Sequence, residues 1–268
     1  TLRIDDEDNS VIAFALDDVD ATGAQSNITL SIEGPASFSA SNLKDGSLTF
    51  TKVGTVTVNG FEGAFTIKNG VKNFNADKVT ALTLSGAAQL QSINITGSLD
   101  PDVTTDKTGP ELSIDGNSSL ETVTLAGKMD DITLKNDPNL TSFVSTAEVD
   151  GVIDLEANVN LETITLTGGS ATGVDINGNT NLEALTVDVT FIAGTATGAK
   201  LDGSLTIVDN TNLETLTVSS DKIETLTVTG NDALETVDFT GLAAFGATAK
   251  PTVKIYDNDL EMTMTDTS

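Results

Sequence analysis

Short apolar-x-apolar triplets recur in pairs along most of this chain, and their spacing predicts its architecture. The first triplet of each pair begins at Leu82, Leu112, Ile132, Ile153, Val174, Leu205, Leu226 and Val253. The second begins eleven residues after the first, at Ile93, Val123, Phe143, Ile164, Leu185, Leu216 and Val237. A repeat of about 21 residues with two short strands per turn predicts an all-β fold, a parallel β-solenoid or β-helix.

Between the two triplets of each repeat lies a polar corner followed by a leucine. The corner position is five residues after the first triplet begins: Ala87, Asn117, Asp137, Asn158, Asn179, Asn210, Asn231 and Asn258. Residues of this kind tolerate the left-handed conformation and bond to nearby backbone, so they are expected to turn the chain. Stacked amides are also expected to bond along the axis as a ladder, above a core column of leucines such as Leu161 and Leu182.

The repeat also predicts the domain organisation. Residues 1–46 do not follow the spacing and are expected to form an N-terminal β cap or a lattice-contact segment. Residues 47–268 are expected to form the solenoid, regular from about residue 75. Insertions at 96–111, 188–204 and 240–252 all follow a second triplet, so they are expected to emerge along one edge and to make contacts between protomers.

The composition is strongly acidic, which limits the classes of partner that the chain is expected to bind. Thirteen Lys and Arg residues against 40 Asp and Glu residues give a net charge of −27, and the chain has no His, Cys or Trp. Such a surface repels nucleic acid and anionic membranes and attracts divalent cations. The sequence contains no apolar run long enough to span a membrane.

The sequence around the polar corner resembles that of known repeat families. Segments such as IDGNSSLETVTL and INGNTNLEALTV are similar to leucine-rich and receptor-L-type β-helical repeats of cell surfaces, over roughly residues 75 to 262. With its acidic composition, the chain resembles bacterial surface-layer and biofilm-matrix proteins of marine type. The resemblance implies an extracellular, cell-surface protein that assembles with itself into a lattice or filament, with cell-surface polysaccharide as a further partner.

The residue types argue against an enzyme. There is no His for general-base chemistry, no Cys nucleophile, no Gly-rich phosphate loop and no zinc ligand set. Polysaccharide lyases and hydrolases also use β-helices, and a pair of acids for glycoside hydrolysis remains open because acidic residues are so frequent. A non-catalytic structural role is the prediction.

Calcium is the expected ion, and two groups of acids are its candidate ligands. Asp154 and Asp175 are predicted to be outward neighbours on adjacent turns. Asp100, Asp102 and Asp106 lie in the first insertion, where backbone carbonyls can join carboxylates around calcium. Neither group matches an EF-hand or the Gly-rich calcium nonapeptide, so these ligands follow from composition.

Two outward columns leave alternatives open. Glu121, Glu162, Glu183, Glu214 and Glu235 share one position after the core leucine, where they splay into solvent or are bridged by cations. The Thr-x-Thr pairs at 122–124, 163–165 and 215–217 are predicted to face outward from one flat sheet. Regular threonine columns on β-solenoids resemble ice-binding surfaces, so a secreted adhesin or an ice-binding solenoid is the alternative function.

Overall fold

The fold was analysed in a computed structural model, which describes residues 2–5, 11–15, 28–33, 37–41, 46–59, 63–77, 79, 81–85, 87–97, 112–192, 203–220, 222–239 and 252–258. These residues form strands and turns and contain no helix. The strands, in chain order, are β1 (Leu2–Asp5), β2 (Val11–Ala15), β3 (Ile28–Glu33), β4 (Ser37–Ser41), β5 (Gly46–Thr51), β6 (Thr55–Asn59), β7 (Gly63–Lys68), β8 (Asn73–Ala76), β9 (Ala81–Ser85), β10 (Ser92–Ile95), β11 (Leu112–Asp115), β12 (Thr122–Leu125), β13 (Lys128–Met129), β14 (Ile132–Lys135), β15 (Ser142–Ser145), β16 (Glu148–Val149), β17 (Val152–Glu156), β18 (Thr163–Ala171), β19 (Gly173–Asn177), β20 (Ala184–Phe191), β21 (Ser204–Val208), β22 (Thr215–Val218), β23 (Thr225–Thr229), β24 (Thr236–Asp238) and β25 (Thr252–Tyr256).

All strand pairs among the described residues are parallel, which confirms the predicted β-solenoid. The second strands of successive turns form one continuous path, β2-β4-β6-β8-β10-β12-β15-β18-β20-β22-β24, with the short strands β13 and β16 beside it. The first strands of the regular turns form a seven-stranded sheet, β11-β14-β17-β19-β21-β23-β25. Its register aligns Leu112, Ile132, Ile153 and Val174, as the repeat spacing predicts.

The first strands are divided between two sheets. Strand β9, which holds the Leu82 triplet, ends a five-stranded sheet of order β1-β3-β5-β7-β9 and does not pair with β11. The Leu82 triplet therefore does not share a sheet with the later first triplets. The break coincides with the predicted insertion at 96–111, of which residues 98–111 lie outside the described part of the chain.

Strands β1 to β4 extend the two sheets into residues 1–46. Strand β1 pairs with β3, which pairs with β5, while β2 pairs with β4, which pairs with β6. Within its described residues this segment contributes parallel strands in the same two sheets as the turns that follow. That a cap ends at residue 46 stays a prediction.

The interior is a stack of aliphatic columns that also contains buried phenylalanines. Alternate strand residues point inward, since each strand has a two-residue period. The leucine after each corner is buried in every turn from Leu90 to Leu234. Burying one such side chain stabilises the fold by about 2 kcal/mol, so the repeated columns supply much of the driving force for stacking.

The second insertion starts later than its predicted boundary at residue 188. Strand β20 continues to Phe191, and its last part pairs with the end of β18, Thr190 with Ser170 and Phe191 with Ala171. Val189 and Phe191 are buried. The strand extends because these apolar residues keep the inward alternation, so Phe191 is a core residue and not an exposed loop contact.

Candidate functional site: the polar corner column and the outward acidic cluster

A column of side-chain hydrogen bonds joins the corners of successive turns. The side-chain Oδ1 of Asn179 accepts a hydrogen bond from the backbone N–H of Asn158 at 3.0 Å, and Asn210 Oδ1 accepts from Asn179 N–H at 3.0 Å. The same bond recurs in each turn from Asn117 to Asn258. The predicted ladder is confirmed, and it satisfies backbone donors that the corner would otherwise bury without a partner.

The side-chain amides complete the ladder by donating to the preceding turn and to the next corner residue. Asn179 Nδ2 donates to the carbonyl oxygen of Leu155 at 2.9 Å and to Asn210 Oδ1 at 3.3 Å. Asn158 Nδ2 donates to the Leu134 carbonyl oxygen at 2.9 Å. Both side chains are fully buried. The interior Asn corners are thus saturated by contacts within the chain, which makes them structural elements.

The left-handed residue of each corner is the one before the column residue. Positive φ angles occur at Gly116, Asn136, Ala157, Gly178, Asp209, Gly230 and Asp257, each immediately preceding a corner residue. The expectation that the column residues themselves take this conformation is therefore wrong. The doublets Gly-Asn and Asp-Asn carried the signal, because Gly, Asn and Asp favour positive φ.

A second asparagine column, exposed to solvent, was not predicted from the sequence. Asn160, Asn181 and Asn212 each lie two residues after a corner residue. Asn181 Nδ2 donates to Asn160 Oδ1 at 3.1 Å, and Asn212 Nδ2 donates to Asn181 Oδ1 at 3.5 Å. The repeated N-x-N pattern was its visible signal. The corner edge therefore presents a regular row of amides to solvent.

The candidate ligands Asp154 and Asp175 are brought together on the outward face of the seven-stranded sheet. They are register partners on β17 and β19. Lys135, on β14, lies beside them and was not singled out from the sequence. Its Nζ is 2.8 Å from Asp154 Oδ2 and 2.6 Å from Glu156 Oε2.

The members of this cluster shift one another's pKa values. Hydrogen bonds to Asp154 and then to Glu156 raise the pKa of Lys135 above its usual range. Burial raises the pKa of Asp175, and the charges of Asp154 and Glu156 raise it further while Lys135 lowers it. Asp175 Oδ1 is buried without a hydrogen-bond partner.

The cluster fits a lysine better than a calcium ion. Calcium takes six to eight oxygen ligands, whereas Lys135 Nζ already occupies the space between Asp154 and Glu156. Among the described residues, no group of three or more Asp, Glu, His or Cys side chains is arranged to hold a metal ion. The other candidates, Asp100, Asp102 and Asp106, lie outside the described residues.

The predicted glutamate column is exposed and stacked. The column consists of Glu162, Glu183, Glu214 and Glu235, in four consecutive turns. The backbone N–H of each glutamate from Glu183 onward donates to the carbonyl oxygen of the preceding glutamate in the column, at 3.0 Å. All four side chains are exposed. Stacked turns lie about 4.8 Å apart, so this column concentrates negative charge in a line.

The threonine pairs face outward from the continuous sheet, as predicted. Thr165, Thr186 and Thr217 are successive register partners and are partly exposed. Their column is interrupted by Val144 before Thr165 and by Asp238 after Thr217. The hydroxyl array therefore extends over only three consecutive turns at this position.

No helix in the described residues is long and apolar enough to cross a membrane. The described residues present a packed interior, hydrogen-bonded corners and outward columns of Glu, Asn and Thr. No protein-family model, no curated protein and no solved structure matches this chain.

Proposed function

We propose that this chain is a non-catalytic extracellular structural protein that assembles with itself into a cell-surface layer or a biofilm matrix, with calcium joining its acidic surfaces. The observation that carries the proposal is the stacked column of exposed glutamates at 162, 183, 214 and 235. A repeated charged line on a rigid solenoid is suited to repeated contacts between copies.

The acidic column makes divalent cations the natural link between protomers. Two unit charges about 5 Å apart repel by roughly 1 kcal/mol in water, and a net charge of −27 opposes the approach of identical copies. A calcium ion between two such columns cancels this repulsion and accepts carboxylate oxygens from both chains. Loop acids such as Asp100, Asp102 and Asp106 are further ligands in this proposal.

Electron microscopy and sedimentation in millimolar calcium or excess chelator, at fixed ionic strength, test the proposal. We expect ordered sheets or filaments with calcium and dispersal with chelator. The double variant Glu183→Gln/Glu214→Gln is expected to assemble poorly, whereas Asp188→Asn/Asp232→Asn removes the same charge from exposed positions outside the column and is expected to assemble like the wild type. A protein that stays monomeric under all conditions contradicts the assembly, and equal assembly in chelator contradicts the role of calcium.

A secreted adhesin or ice-binding solenoid is the second candidate, supported by the outward threonines of the continuous sheet. The stacking of Thr165, Thr186 and Thr217 gives hydroxyl groups a regular spacing. If the monomer slows ice growth, and Thr163→Lys/Thr215→Lys abolishes that effect without unfolding the chain, this candidate replaces the first. If the same variant assembles normally, the threonine face is a solvated surface.

A further inference from the structure

Asp137 is the single carboxylic acid in the described part of the corner column. Its side chain is fully buried. Oδ1 accepts a hydrogen bond from the backbone N–H of Asn117 at 2.7 Å, as the other corner residues do in their turns. Oδ2 is also buried but has no hydrogen-bond partner. A carboxylate can only accept hydrogen bonds, so an ionised Asp137 leaves a charged oxygen unsatisfied.

The neighbouring turns show what normally occupies the place of Oδ2. Asn158 Nδ2 donates to the Leu134 carbonyl oxygen at 2.9 Å, and Asn210 Nδ2 donates to the Ile176 carbonyl oxygen at 3.0 Å. Since Ile114 is the register partner of Leu134, the equivalent acceptor for the Asp137 turn is the Ile114 carbonyl oxygen. A carbonyl oxygen repels a carboxylate oxygen but accepts a bond from a protonated one.

We propose that Asp137 is a proton-controlled corner of the solenoid: a proton on its Oδ2 is donated to the Ile114 carbonyl oxygen and completes the ladder, and loss of that proton loosens the turn. When neutral, the carboxyl group offers a donor and an acceptor, as the amide of an asparagine does. When ionised, it offers no donor. The inference concerns the fold itself and does not depend on the proposed assembly.

The surroundings of Asp137 raise its pKa above that of an exposed aspartate. Burial raises the pKa of Asp137 to about 6 from 3.8. The hydrogen bond from Asn117 lowers it, and the negative charge of Asp115 raises it further. Asp115, on the neighbouring strand β11, is the charged group that acts on Asp137 among the described residues, and Asn136 Nδ2 binds its Oδ1 at 2.9 Å.

The direction of the pH dependence follows from proton binding in the two states. The folded chain binds this proton more tightly than the unfolded chain, so folding takes up a proton between the two pKa values. The stabilisation is fully present below about pH 3.8 and is lost as the pH rises through about 6. A difference of about two pKa units changes the unfolding equilibrium constant about 100-fold.

The decisive measurement is the titration of the Asp137 carboxyl carbon by nuclear magnetic resonance in the wild-type chain, with the signal assigned by its absence from Asp137→Asn. We expect a midpoint near pH 6. A midpoint near pH 4, as for an exposed aspartate, overturns the inference. This measurement needs only the folded wild type and a spectrum for assignment, so it does not depend on the stability of a variant.

Two matched substitutions test the mechanical consequence. Asp137→Asn is expected to match the wild type near pH 4 and to resist unfolding about 100-fold better at pH 8, because its amide donates at every pH. Asn179→Asp is expected to install a second loss of stability as the pH rises, because an ionised carboxylate at this corner has no donor either. Amide hydrogen exchange of Asn117 should locate the loosening at this turn. If both variants follow the wild-type pH dependence of unfolding, the proton does not control the corner.

Discussion

The early and late turns of this solenoid bend at the same backbone conformation but place different side chains behind the bend. In the early turns the left-handed residues are Lys52 and Gly70, and the residues that follow them are Val53 and Val71, both fully buried. In the late turns a left-handed residue such as Gly178 is followed by a buried asparagine, Asn179. The bend is common to both regions, and its chemistry is not.

The core changes together with the corner. Phe50, Phe65 and Phe74 fill the interior of the early turns, and the rings of Phe65 and Phe74 pack edge to face with centroids 5.1 Å apart. Later turns use mainly leucine, isoleucine and valine. An apolar corner accompanies the phenylalanine-rich core of the early turns, whereas the amide corners of the mainly aliphatic late turns are held by hydrogen bonds.

Ala87 marks the change from one corner to the other. Its side chain is small and buried, and its carbonyl oxygen accepts a hydrogen bond from Asn117 Nδ2 at 3.1 Å. The five-stranded sheet ends at β9, just before Ala87, and the seven-stranded sheet begins at β11. The ladder thus starts on a backbone oxygen that the apolar region supplies, which lets two kinds of turn stack without an unsatisfied donor.

Placing the early corner residue in the late region should have the largest effect. Asn179→Val removes two buried groups that other residues bond to, the acceptor of Asn158 N–H and the donor to the Leu155 carbonyl oxygen. We expect the free energy of unfolding to fall by about 4 kcal/mol, since each such group costs roughly 2 kcal/mol. Urea unfolding followed by circular dichroism measures the loss.

The exposed Asn181 is the matched control for that substitution. It lies two residues further on, and its amide bonds to the exposed Asn160. Asn181→Val should change the free energy of unfolding by less than about 0.5 kcal/mol. Equal losses for the two variants would mean that the buried ladder contributes no more than the exposed one.

The reverse exchange, an asparagine at an early corner, should lower the free energy of unfolding somewhat less. Val71→Asn puts an amide into a dry corner of the early region and removes apolar contacts, with an expected loss of about 3 kcal/mol in the free energy of unfolding. Val71→Ala separates the lost packing from the buried amide and should cost about 2 kcal/mol. If Val71→Asn is as stable as the wild type, the early corner already offers hydrogen-bond partners to an amide.

Substitutions at the left-handed position, which both regions share, should change the free energy of unfolding least. Ala157 has a φ of 56° and Gly178 a φ of 64° at equivalent positions of successive turns. Ala157→Gly should raise the free energy of unfolding by about 0.5 kcal/mol and Gly178→Ala should lower it by about 1 kcal/mol, because a Cβ atom disfavours positive φ. The nearest atom to a Cβ at Gly178 is 3.9 Å away, so a steric clash does not add to the difference. Thermal melts of the two variants should move in opposite directions.

Much of the fold could be predicted because its information is local and repeated. The triplets predicted the strands and the register that aligns Ile153 with Val174, and the Asn column predicted the ladder. The candidate site was less accessible. Asp154 and Asp175 were predicted to be neighbours and are. Lys135, which pairs with Asp154 and Glu156, comes from the preceding turn, and its reach onto β17 follows from side-chain conformation.

The sequence by itself determined the period, the inward alternation, the leucine columns and the polar corners, since each depends on spacing along one chain. Only the tertiary structure decided where the first strands change sheet and how far β20 extends. It also decided that Asp137 stands with one oxygen bonded and the other buried without a donor. These features depend on contacts between turns, where packing and hydrogen bonding select among conformations that the local sequence allows equally.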